Sequence, residues 1–164
     1  MRTSVVSNTG PLVALANAGI LGILDRLWEQ VLIPAEVRDE LASARRLPGE
    51  LQALLGQIKR LEIGIVSKRS PLLVDVLDRG ESAVIELAQE RQIHSVLIDE
   101  RKGRKVAASL FGLNVIGTAG LLLRAKQQGL IPNVRDPIGR MRASGYHIHD
   151  RIVSELLRYA HENA

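Results

Sequence analysis

Short runs of consecutive apolar residues alternate along the chain with longer segments whose apolar positions recur every third or fourth residue. The first pattern predicts buried strands and the second amphipathic helices. Strands are expected at Ser4–Ser7, Val31–Ile33, Val96–Ile98 and Leu113–Ile116, with a weakly alternating edge strand at Leu61–Val66. Helices are expected over Leu12–Asn17, Ile20–Trp28, Ala35–Ser43, Pro48–Lys59, Glu81–Arg91, Ala119–Gln128, Asn133–Ala143 and Arg151–His161, with a basic helix directly after Asp99. Leu72–Leu77 is apolar but fits neither period. Asn8-Thr-Gly-Pro11 reads as a turn with Pro11 opening its helix, and Asp150 as the cap of the last helix.

The segment Ser95–Thr118 organises this alternation. It runs strand, acid, helix, strand, the length that a parallel crossover needs. Repeated, such units predict a three-layer α/β/α sandwich around a central, mostly parallel sheet. Residues 1–164 read as one domain, with 133–164 a helical C-terminal extension.

Composition narrows the chemistry. Hydrophobic residues make up 46% of the chain, yet there are only one Trp, two Tyr and one Phe. The core is therefore aliphatic, and an aromatic platform for base stacking is not expected. There is no cysteine, which excludes disulfides and thiolate chemistry. A net charge of +4 permits a nucleic-acid partner without requiring one. No run reaches the roughly 18 apolar residues of a membrane span, and Met1-Arg-Thr-Ser-Val-Val lacks a secretory apolar core. The expectation is a soluble, cytoplasmic protein.

In open α/β sheets ligands bind beyond the carboxyl ends of the strands. Asn8 and Asp99 each end a predicted strand there, and Glu40 and Glu81 lie on neighbouring helices. Three converging carboxylates repel one another, and a hard divalent cation relieves that repulsion. Each residue also has a plain reading. Glu40 suits a solvated helix face, Glu81 complements a helix N-terminus, Asp99 suits a cap and Asn8 a turn. Arg101, Lys102, Arg104 and Lys105 form a basic cluster beyond Asp99, either a solvated face or a phosphate-attracting one. Arg45-Arg46 and Lys68-Arg69 read as loop charges, and His147 and His149 as ordinary surface or packing histidines. No glycine-rich phosphate cradle or nucleophile elbow is present.

Four segments carry a resemblance. Ser4-Val-Val-Ser-Asn-Thr-Gly-Pro-Leu12, Leu32-Ile-Pro-Ala-Glu-Val-Arg-Asp-Glu-Leu41, Asp78-Arg-Gly-Glu-Ser-Ala-Val-Ile-Glu-Leu-Ala88 and Val96-Leu-Ile-Asp-Glu-Arg-Lys-Gly-Arg-Lys-Val-Ala107, followed by Leu113–Thr118, resemble the successive motifs of PIN-domain proteins. The match is nearest to a prokaryotic PIN-like subfamily (DUF3368-type) described as nucleic-acid-binding, with likeness to VapC-type toxins, and spans about residues 3 to 130. The resemblance implies a ribonuclease using Mg²⁺ or Mn²⁺, the toxin of a toxin–antitoxin pair, with an antitoxin protein as partner and a homodimer as assembly. It carries catalytic roles to Glu40, Glu81 and Asp99, metal ligation to these and Asn8, and nucleic-acid contacts to Thr9 and Thr118, which the basic cluster beside Asp99 would join. This chain has Asn8 where PIN domains usually have Asp, so one ligand brings no charge. The alternative is a catalytically impaired module that binds nucleic acid or protein.

Overall fold

Val5 and Val6 are fully buried, and so are Leu97 and Ile33, because each belongs to a strand covered on both faces. The computed structural model describes residues 3–44 and 47–163. In it the strands β1 (Ser4–Ser7), β2 (Gln30–Pro34), β3 (Leu61–Gly64), β4 (Ser95–Leu97) and β5 (Asn114–Ile116) form one sheet in the order β3-β2-β1-β4-β5. Every pairing is parallel, with Val6 opposite both Leu32 and Val96. The sheet is thus wholly parallel, and all its carboxyl ends share one rim.

Between the strands run the helices α1 (Thr9–Asn17), α2 (Leu24–Leu27), α3 (Ala35–Ala42), α4 (Leu51–Leu55), α5 (Pro71–Val74), α6 (Arg79–Glu90) and α7 (Arg101–Phe111). After β5 come α8 (Thr118–Gln127), α9 (Arg135–Ala143) and α10 (Asp150–Tyr159). The helix α6 packs on β1, β2 and β4, and α7 lies beside it against β5. The chain leaves β1 leftward to β2 and returns rightward to β4, so right-handed connections place α1 on the other face. There α1 packs against α8 and α9, and α8 against α10. The C-terminal segment is tied down by polar contacts as well. Arg140 Nε donates to the Ala18 carbonyl at 2.8 Å, and Glu162 both pairs with Lys126 at 2.9 Å and accepts from the Val134 N–H at 2.7 Å.

Several boundaries differ from the sequence reading, for local reasons. The expected turn at Asn8–Pro11 is absent. Asn8 has extended backbone (φ −81°, ψ 173°) and α1 starts at Thr9, with Pro11 in the first turn, where its missing N–H costs nothing. Ile20–Trp28 is a 3₁₀ turn (Leu21–Ile23) followed by α2. The helix expected at Pro48–Lys59 shrinks to α4, because Gly49 sits at φ +152° and Gly56 ends the run. The ambiguous Leu72–Leu77 run holds the single turn α5. Asp150 is the first residue of α10, and its cap is His149, whose Nδ1 accepts from the Arg151 N–H at 3.2 Å. Arg45 and Arg46 lie outside the described residues.

Gly64 shows how tightly helix and sheet meet. A methyl built there would lie 2.7 Å from a Leu87 methyl carbon, and Leu87 is fully buried. Gly64→Ala should therefore lower stability by about 1–3 kcal/mol through overpacking, read as a shifted urea midpoint with unchanged slope.

Candidate active site

Asn8 follows β1 and Asp99 follows β4, so the parallel pairing sets them on one rim. The Asn8 N–H bonds the Leu97 carbonyl at 2.9 Å, which fixes the end of the ladder. Its side chain makes no cap bond to α1, and Asn8 Oδ1 is buried with no hydrogen-bond partner. A buried acceptor left without a partner costs about 1–3 kcal/mol. The buried oxygen therefore carries a cost that a bound cation or donor would offset.

Asp99 is held from one side. Its Oδ1 accepts the Thr118 N–H at 2.7 Å, and its Oδ2 accepts the Thr118 hydroxyl at 2.6 Å. The Tyr146 hydroxyl donates to the same Oδ2. Thr118 is 2% exposed and turns both its donors to Asp99, which it orients, while it also lines the cleft beside that acid. Tyr146 was missed in the sequence because it lies in the turn between α9 and α10, far from any motif.

Glu40 projects from the last turn of α3 and accepts from the Thr9 hydroxyl, so Thr9 holds an acid. Asp39, beside it, is exposed and pairs with Arg38 at 3.3 Å. Glu81 is 5% exposed in the first turn of α6, behind the Asp78 carboxylate that caps its backbone N–H at 2.8 Å. Burial, then the nearby charges of Asp78 and Glu100, push its pKa up to about 7. Glu81 is thus a carboxylate lacking enough positive charge around it.

Glycines seat these acids. A methyl on Gly80 would overlap Glu40 Oε1, one on Gly103 would lie 3.2 Å from an Ile98 methyl carbon and 3.3 Å from Glu81 Cδ, and one on Gly117 would overlap Arg104 Nη1 and lie 3.2 Å from Asp99 Oδ1. Gly10 approaches Asp99 from α1, a built methyl standing 3.6 Å from Oδ2. The acids are therefore interleaved: Glu40 lies on the residue before Glu81, and Glu81 on the helix that follows Asp99. They are gathered on one rim, but the expected closed cluster of carboxylates is not met. Among the described residues no three His, Cys, Asp or Glu side chains are arranged to hold an ion. The reason is local, since Glu40 is turned to Thr9 and Asp99 to Thr118 and Tyr146. The donor set still suits a hard cation: an unpartnered amide oxygen on Asn8, an under-compensated carboxylate on Glu81 and a further lone pair on Asp99.

Beside Asp99 a cleft of about 700 Å³ opens between α7, β5 and α8. Arg101, Arg104 and Arg124 line it with Gln127. Arg104 Nη1 donates to the Ile98 carbonyl at 3.1 Å, and Arg124 lies over the Trp28 ring at 5.5 Å. Lys102 and Lys105 are exposed but do not line this cleft. Lys68 and Arg69 do lie in a loop, as expected, yet Arg69 is engaged, pairing with Glu36 and reaching Glu86 at 3.9 Å. No helix among the described residues is long and apolar enough to cross a membrane.

The family model described as "DUF3368: PIN domain" matches residues 4–162, reaching through the C-terminal helices. No curated protein matches the chain.

Proposed function

The chain belongs to the PIN-domain family, a nuclease-type fold, and from that premise we propose that it is a divalent-metal-dependent ribonuclease. The observation that carries this reading is the buried, unpartnered Asn8 Oδ1 on the rim that Asp99 shares. Asn8, Glu40, Glu81 and Asp99 would hold Mg²⁺ or Mn²⁺. Such an ion supplies an activated water and charge stabilisation for phosphodiester hydrolysis. The chain's own groups prepare the site. Thr118 orients Asp99, Thr9 orients Glu40, and burial keeps water from screening Glu81. Arg101, Arg104 and Arg124 attract the phosphates of an RNA strand into the neighbouring cleft, with Lys102 and Lys105 adding to the field around it. The toxin role, an antitoxin partner and a homodimer belong to the same reading and rest on the family resemblance alone.

The test is cleavage of a mixed single-stranded RNA by purified protein with Mn²⁺ or with EDTA. Cleavage should require the metal. Asn8→Asp should bind Mn²⁺ roughly tenfold tighter and cleave faster, since it adds a charge where the amide had none. Binding of RNA without cleavage in either form would favour the impaired module instead. Equal cleavage with Mn²⁺ and with EDTA would sink the metal-dependent reading.

A further inference from the structure

A carboxylate offers about four lone-pair positions. On Asp99 three are occupied: one on Oδ1 by the Thr118 N–H, and both on Oδ2 by the hydroxyls of Thr118 and Tyr146. One position remains, on Oδ1. The third donor is supplied by a purpose-shaped turn. Gly145 at φ +91° redirects the chain after α9, and the Tyr146 N–H bonds the Met141 carbonyl at 3.0 Å. The Ser144 hydroxyl bonds the same carbonyl at 2.8 Å, and Arg142 donates to the Ile148 carbonyl at 2.7 Å. The Tyr146 ring packs against the core, a task that Phe would perform equally well. Thr118 by itself already holds both carboxylate oxygens. What the phenol adds is full occupancy of Oδ2. Burial and the adjacent Asp99 carboxylate push the phenol's pKa above its ordinary value, so it remains a donor.

We propose that Tyr146 is a positioning residue that restricts Asp99 to a single acting oxygen, Oδ1. The inference rests on the metal-dependent reading of this site. A carboxylate offering one oxygen suits a small cation with strict octahedral geometry, such as Mg²⁺. One free to offer both oxygens suits Ca²⁺, which accepts bidentate ligands and higher coordination. Tyr146 is thereby a determinant of which divalent cation the site prefers, contributed by the C-terminal segment rather than by the motifs at the strand ends.

The experiment is calorimetric titration of the metal-free protein with Mg²⁺ and with Ca²⁺, each alone and without RNA, for wild type and Tyr146→Phe. The Phe variant should bind Ca²⁺ roughly three- to tenfold tighter, the scale of one released hydrogen bond, while its Mg²⁺ affinity changes less than about twofold. A role confined to packing would leave the ratio of the two affinities where it was. Unchanged affinities, or both altered by one factor, would overturn the proposal while leaving the ribonuclease reading in place. A wild-type protein that binds neither ion at millimolar concentration would overturn that reading and this inference together. Thermal unfolding of the metal-free variant confirms that the comparison is between folded proteins.

Discussion

Asp99→Asn should abolish metal-dependent RNA cleavage, with a loss on the order of a thousandfold, because it removes the charge that the strand end presents to the cation and to developing charge on the phosphate. The change is nearly isosteric, and the neighbours are able to adapt. The Thr118 N–H still finds a carbonyl oxygen, and the hydroxyls of Thr118 and Tyr146 rotate to accept from the new amide. Folding stability should therefore fall by only about 1 kcal/mol, the difference between charged and neutral hydrogen bonds. The two readouts together are decisive. Activity lost with the urea midpoint nearly kept places Asp99 in the chemistry. Full activity in the Asn protein would remove Asp99 from it, and with it the basis of the site.

The second large effect concerns Glu81 and pH. Its folded-state pKa of about 7 lies above the ordinary 4.5, so between those values the folded protein binds a proton that the unfolded chain releases. Stability from this group is therefore fully present at low pH and declines as pH rises through about 7. In metal-free protein the loss across that window is on the order of a few kcal/mol. Glu81→Gln removes the titrating group, so the variant should be more stable than wild type at pH 8 by about 1–3 kcal/mol, with a flatter pH dependence. Added Mn²⁺ should reverse the order, stabilising wild type and leaving the Gln protein nearly unmoved. A metal-free wild type whose stability rose from pH 5 to pH 8 relative to Glu81→Gln would contradict the charge balance described here. Glu81→Gln should also lower cleavage, so stability at high pH and activity trade against each other at one residue.

Both predictions turn on residues already visible in the sequence, but in different degrees. Asp99 was legible because a short apolar run followed by an acid and an amphipathic helix has few structural meanings. The strands Val96–Ile98 and Leu113–Ile116, the crossover between them and the largely buried β1 follow from period and connection length. The family match through residue 162 agrees with the motifs read along the chain. Glu81 was visible as a helix-opening acid, yet nothing in its neighbourhood announced that it would be 5% exposed. Its burial depends on α7 crossing over it at Gly103, and that crossing is a property of packing. The family resemblance carries a nucleic-acid contact to Thr118 through its Gly-Thr pair. The turn into α8 buries it and aims both its donors at Asp99.

Some features had no local signal. Tyr146 stands in a stretch whose pattern says only turn, and its partner lies 47 positions earlier. The unpartnered buried oxygen of Asn8 is likewise a relation, set by which groups the fold brings around it.

What the sequence determined by itself was the alternation of strand and helix, the parallel rim and the acids placed along it. Those are set by short-range periodicity and by the length of the connections. Only the tertiary structure decided which acid is buried, which is turned to a hydroxyl and which oxygen of Asp99 stays open. Such outcomes depend on groups brought together across the fold, and their hydrogen bonds and desolvation are absent until the elements pack.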